Sequence, residues 1–164
     1  MIAIDSPPLI HLSKIGRLDI LENSSLITTK SVRGEVIIEG KAGVSGLKEF
    51  FKPVEVVKLS KRNIDTASSI AKSEDIHQAD AELLLLAKKK KCTLLTNDRA
   101  LVLLARSMGL KVWWVTTLIL NLMNAGRLSK EEGKYILDDL IMSGMHIETG
   151  VYIRIQREIE MIGR

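Results

Sequence analysis

Four acidic residues stand where carboxylates can do hydrolytic chemistry. Asp5 closes the apolar run Ile2-Ala3-Ile4, and Asp98 follows Leu94-Leu95-Thr96-Asn97. Asp80 lies in His77-Gln78-Ala79-Asp80-Ala81, and Glu35 in Ser31-Val32-Arg33-Gly34-Glu35-Val36. Any one of them alone reads as a turn residue or a helix cap. Gathered in one place without basic partners, they would repel one another, and burial would raise their pKa values. A divalent cation relieves both effects. Magnesium and manganese prefer oxygen ligands. Such a site can activate water and neutralise the charge developing on a phosphodiester, and two ions roughly 4 Å apart clamp both the attacking and the leaving oxygen.

The elements that must position these acids follow from hydrophobic patterning. Short apolar runs at Ile2–Ile4, Leu26–Thr28, Val54–Leu59, Cys92–Thr96 and Lys111–Val115 predict five strands. One or two helices are expected over Pro8–Glu22, another carrying Val32, Val36 and Ile37 behind a cap at Thr29 or Ser31, and a short one through Leu47 and Phe50 after a loop punctuated by Gly40, Gly43 and Gly46. Ile64–Lys72, Gln78–Lys89 and Ala100–Met108 read as further helices, the last stopped by Gly109. Strands alternating with helices imply an α/β fold with a parallel sheet covered on both faces. From Thr116 onward the strand signal fades. Leu118–Asn124, Lys130–Met142 and Val151–Ile162 read as three helices, with a capping box from Ser129 to Glu132.

Open parallel sheets carry their sites at the carboxyl ends of the strands. Asp5 and Asp98 both follow strands, so both are expected at that rim. Asp80 starts a helix that runs back antiparallel to the sheet, so it begins at the same rim. Glu35 is placed less firmly, since Glu39 shares its helix face.

Composition narrows the setting. The 164 residues carry 46% hydrophobic residues but 4% aromatics, so one aliphatic core is expected. Twenty-four Lys and Arg against 20 Asp and Glu give a net charge of +4 and a pI near 9.2, a balance that attracts polyanions. Cys92 is the single cysteine, which excludes an intramolecular disulfide and a thiolate zinc site and fits a reducing, cytoplasmic setting. The start has no signal-peptide pattern, and Val112–Met123 is too short and polar for a bilayer span, so no membrane association is expected.

Other residues read as structural. Arg33 and Arg99 flank the acids and serve equally to hold a substrate phosphate or to balance charge. Lys88–Lys91 suits a solvated helix end. Trp113 and Trp114 fall in the fifth strand, one facing the core and the other the opposite layer, which favours packing over base stacking. His11, His77 and His146 show no paired metal spacing, with His77 in a turn or cap near Asp80. Met123, Met142, Met145 and Met161 suit packing in the helical tail, and Cys92 suits burial.

The motifs also resemble a known family. Ile2-Ala3-Ile4-Asp5-Ser6, Val32-Arg33-Gly34-Glu35-Val36, Ala79-Asp80-Ala81-Glu82-Leu83 and Leu94-Leu95-Thr96-Asn97-Asp98, in this order, resemble the four motifs of PIN-domain nucleases over about the first 115 residues. The helical tail, with Asn124-Ala125-Gly126-Arg127-Leu128 and Ser143-Gly144-Met145-His146-Ile147, is similar to a VapC-like subgroup with such an extension. The resemblance implies a three-layer α/β/α fold with a five-stranded parallel sheet in residues 1–115, and a helical extension packed on it in 116–164. It implies Mg²⁺- or Mn²⁺-dependent cleavage of RNA, with Asp5, Glu35, Asp80 and Asp98 catalytic. Asp5, Asp80 and Asp98 would bind metal, and Ser6, Thr96, Asn97 and Glu82 would support them. Many such relatives are toxins restrained by an antitoxin protein, and dimers are common. Two departures stand out: Pro7-Pro8 replaces a small polar pair, and Asn97 stands where some relatives carry a further Asp, which bears on a second metal. The competing expectation is a PIN-like module that binds RNA or protein with a decayed site. A phosphoacceptor signalling domain is a poorer fit, because Val54–Leu59 ends in Leu59-Ser60 without an Asp.

Overall fold

The computed structural model describes residues 1–39 and 44–162. Five strands form one parallel sheet in the order β3-β2-β1-β4-β5: β1 Ile2–Ile4, β2 Leu26–Thr29, β3 Glu55–Val57, β4 Thr93–Leu95 and β5 Val112–Trp113. The central strand β1 pairs Ile2 with Leu26 on one side and with Thr93 on the other, and Ile4 with Leu95. Neighbouring strand residues point to opposite faces. Ala3 and Ile4 are both fully buried, as are Leu94 and Leu95, so the sheet is covered on both sides. This is the α/β architecture that the alternating pattern predicts.

The helices between strands are α1 Ser6–Lys14, α2 Lys30–Glu39, α3 Val44–Phe50, α4 Lys61–Glu74, α5 Gln78–Lys90 and α6 Arg99–Ser107. A 3-10 turn, Leu18–Leu21, follows α1. Two prolines enter α1 in its first turn, where the missing N–H costs nothing because those donors have no intrahelical partner. Thr29, rather than Ser31, caps α2: its Oγ1 accepts from the Val32 amide at 3.2 Å. Leu83, Leu84 and Leu86 of α5 are buried in the same apolar cluster as the strand residues. Gly109 takes φ +78° after α6, the left-handed turn that favours glycine at a helix end. Gly46 lies inside α3, not in a loop, and the loop expected at Gly40 and Gly43 falls outside the described residues.

The fifth strand is shorter than its apolar run suggests. It ends at Trp113, and Trp114 is already the extended N-cap of α7 Val115–Asn124. The reason lies across the sheet edge, where the Asn97 Oδ1 accepts from the Val115 amide at 3.1 Å and fixes the helix start. Helices α8 Lys130–Met142 and α9 Thr149–Met161 complete the described chain. Both hydrogen bonds of the Ser129–Glu132 capping box are present at the start of α8. Leu118, Ile119, Leu122, Ile136, Leu140, Ile155 and Ile159 are buried in the same apolar cluster as the sheet residues. The His11 ring meets Ser143 Oγ at 2.8 Å, and Arg127 donates to the Glu22 carbonyl at 2.6 Å. Among the described residues no helix is long and apolar enough to cross a membrane.

Candidate active site

Strand order reverses at β1, with β2 on one side and β4 on the other, and such a switch point opens a crevice beyond the strand ends. Asp5 leaves β1 at this crevice and caps α1. Its Oδ1 accepts from the Ser6 amide at 2.7 Å, and its Oδ2 accepts from the Thr96 hydroxyl at 2.6 Å. Thr96 is fully buried just past β4, and its Oγ1 accepts in turn from the Asp98 amide at 3.0 Å. Asp98 caps α6, with Oδ1 accepting from the Leu101 amide at 2.7 Å. On the other side, the Ser6 hydroxyl donates to Glu35 Oε2 at 3.1 Å. A continuous chain of hydrogen bonds therefore runs Glu35–Ser6–Asp5–Thr96–Asp98 across the switch point.

Asp80 joins this group through charge. It sits in the first turn of α5, half-buried, and its carboxyl is pushed up to about 6 by burial first, then by the charges of Asp98 and Glu35, with His77 working the other way. The Asp5 carboxyl is pushed up to about 7. Burial is the main cause, and the Thr96 hydrogen bond opposes it. The Asp80 charge raises it further, the Ser6 amide opposes, and Glu35 adds a smaller upward push. Among the described residues no Lys or Arg forms an ion pair with any of the four acids.

The supporting residues separate. Ser6 and Thr96 lie within the hydrogen-bonded chain. Asn97 turns away from the acids: besides holding Val115, its Nδ2 donates to Met145 Sδ at 2.7 Å. Glu82 is buried on the next turn of α5, where Ser31 Oγ donates to it at 2.5 Å and Gln78 Nε2 at 3.1 Å, a bracket between α2 and α5. Arg33 lies over the Phe51 ring at 5.8 Å, and Arg99 stands 3.7 Å from Glu148 at the N-cap of α9. The Thr96 hydroxyl bridges two acids. One contribution escaped the sequence: Trp114 lines a cavity beside Asn97 and Arg99. Its signal is a tryptophan immediately before a helix start.

Among the described residues no three acidic, His or Cys side chains already stand at the spacing of a cation cage. The donor chemistry nonetheless suits a hard divalent ion: carboxylates gather with hydroxyls, among the described residues no Lys or Arg pairs with them, and the buried member is held toward its protonated form by burial and like charge. An ionised carboxylate has about four acceptor positions, so the bonds from Ser6 and Thr96 leave Asp5 free lone pairs.

Comparison with known proteins agrees with the fold. The solved structure of PAE2754 from Pyrobaculum aerophilum superposes with a TM-score of 0.57, covering 74% of this chain and 94% of that one at 19% identity, a likeness of fold. No curated protein matches the chain. Residues 1–161 match a family described as a PIN domain, through the C-terminal helices as well as the sheet. The chain therefore belongs to the PIN-domain family, whose members are generally nucleases that use divalent metal ions.

Proposed function

We propose that the chain is a divalent-metal-dependent endoribonuclease that hydrolyses RNA phosphodiesters with Mg²⁺ or Mn²⁺. The observation that carries the reading is the hydrogen-bonded series from Glu35 to Asp98, centred on a buried Asp5 with no basic partner. In this reading Asp5, Asp80 and Asp98 hold the ion and Glu35 completes the acidic rim. Bound there, such an ion supplies Lewis-acid activation of water and neutralises charge developing on the phosphodiester. Ser6 and Thr96 keep the Asp5 carboxylate in one orientation. Asp5 and Asp80 release their protons when the site fills, because a ligand carboxylate must be ionised. Arg99, next to Asp98 and exposed, is available to a substrate phosphate, and Arg33, exposed two residues before Glu35 on α2, is the second candidate. The toxin role, the antitoxin partner and the homodimer that the resemblance implies belong to the same proposal.

The test is cleavage of single-stranded RNA with Mn²⁺, Mg²⁺ or EDTA by the wild type and by Asp5→Asn and Asp98→Asn. Metal-dependent cleavage lost in both variants supports the assignment, and unchanged cleavage in both sinks it. One observation favours a second reading, a PIN-domain module that binds RNA or protein without cutting: the acids do not form a ready-made cage. That module would show no thermal shift with Mn²⁺, whereas the nuclease should be stabilised by it.

A further inference from the structure

A cavity of about 430 Å³ is lined by the two residues that flank Asp98, together with residues of the C-terminal helices, and lies inside the range of about 300–1,000 Å³ of small-ligand sites. The turn after β4 supplies Asn97, the start of α6 supplies Arg99, the start of α7 supplies Trp114 and Thr116, and the first turns of α9 supply Val151 and Arg154. Asn97 and Arg99 flank Asp98 in the chain, so one wall of the cavity is built from the segment that carries Asp98. That wall is fixed, because Asn97 is held at both ends of its amide, by Val115 and by Met145. Arg99 is less bound. Its contact with Glu148 is 3.7 Å long between side chains 81% and 66% exposed. An ion pair so open to solvent contributes little, so Arg99 can exchange Glu148 for a phosphate at small cost.

We infer that this cavity holds one base of the RNA strand adjoining the cleaved phosphate, packed against Trp114, with Arg99 and Arg154 on the neighbouring phosphates. The inference rests on the nuclease reading above and adds to it where the flanking nucleotide sits. An indole is a stacking platform that accepts any base, and guanidinium groups pair with phosphate oxygens. The chain spends one of its two tryptophans here, part-exposed at a cavity mouth, although its aromatic content is 4%. Val151, 39% exposed, gives an apolar rim, and Thr116 offers a hydroxyl to base edges. The C-terminal helices thereby take part in substrate selection.

The test uses tryptophan fluorescence in an Asp5→Asn background, so that no strand is cut during the titration. Adding Trp113→Phe leaves Trp114 as the only indole; adding Trp114→Phe instead leaves Trp113. Homopolymeric RNA decamers of A, U or C should quench the Trp114 protein saturably and leave the Trp113 protein unchanged. Trp114→Ala should weaken decamer affinity about 10-fold, and Trp114→Phe should restore most of it. In the cleaving enzyme Trp114→Ala should raise KM by a similar factor with kcat within about 3-fold. If Trp114→Ala lowers the melting temperature, Val151→Trp, which fills the cavity from its exposed rim, should reproduce the affinity loss in a folded protein. Decamer binding without quenching of Trp114, or affinity untouched by both cavity variants, overturns the inference. Absence of metal-dependent cleavage by the wild type would instead strike the nuclease reading, since the quenching is read without any cut.

Discussion

Asp5 carries the site's balance of charge. Burial pushes its carboxyl up to about 7, and Asp80 follows to about 6 under burial and the charges of Asp98 and Glu35. In the unfolded chain both return to the ordinary value of 3.8. Between about pH 4 and pH 7 the folded, metal-free protein therefore holds protons that the unfolded chain has released, and its stability falls as pH rises through that window. Melting in EDTA should occur at a higher temperature at pH 5 than at pH 8, by on the order of 5 °C. Asp5→Asn should flatten that slope, and a slope of the opposite sign would contradict the placement of these acids. Thr96→Val tests the bridge between Asp5 and Asp98 at nearly constant volume. Losing a hydrogen bond to a buried carboxylate should cost about 1–3 kcal/mol. Because that bond lowers the Asp5 value, its loss should also move the rising limb of the pH–activity profile upward. A denaturant midpoint and a pH profile together distinguish this from a packing defect, which would leave the limb in place.

At the scale of elements, the strands and helices that hold the acids were legible because local signals agreed with global ones. Ile2–Ile4 and the Leu94-Leu95-Thr96 run are apolar and end in acids, and Gln78–Lys90 combines a long helical pattern with lysines in its last turn. What the sequence could not convey was mainly tertiary. Trp113-Trp114-Val115 is as apolar as a strand, and only the Asn97 side chain, 18 residues earlier, ends β5 and starts α7. Glu82 sits beside Asp80 in sequence but is held by Ser31 and Gln78, a pairing between two helices that no spacing rule reveals. Thr29 shows how an element serves the site: it is fully buried, caps α2, and so sets the helix that carries Glu35. Thr29→Val should destabilise the fold by about 1 kcal/mol and reduce activity beyond that loss in folded fraction, which urea unfolding beside a cleavage assay would resolve. A cleavage rate untouched by Thr29→Val would separate Glu35 from the reaction.

The whole molecule joins an acidic crevice to a chain of net charge +4. Such a balance draws a polyanion toward the surface, while in the proposed reading the acids hold one spot for a cation, so RNA affinity should weaken steeply with salt. The C-terminal helices belong to this arrangement physically. Leu118 and Ile119 of α7 are buried with the sheet residues, and Asn97 reaches to Met145. We propose that residues 1–115 and 116–164 differ in architecture yet fold together. A chain ending at residue 115 should then expose apolar surface, bind a hydrophobic dye and lose its cooperative melt. A cooperative melt retained by that shorter chain would show two independent units.

If these acids act together on RNA through a divalent ion, the Mn²⁺-dependent cleavage rate of single-stranded RNA in four folded variants, Asp5→Asn, Glu35→Gln, Asp80→Asn and Asp98→Asn, reads it out directly. Losses of roughly 100-fold or more are expected at Asp5, Asp80 and Asp98, as when groups acting as one unit are removed singly, with a loss also at Glu35 and no cleavage in EDTA. Wild-type rates in all four variants, or cleavage that persists in EDTA, would contradict it.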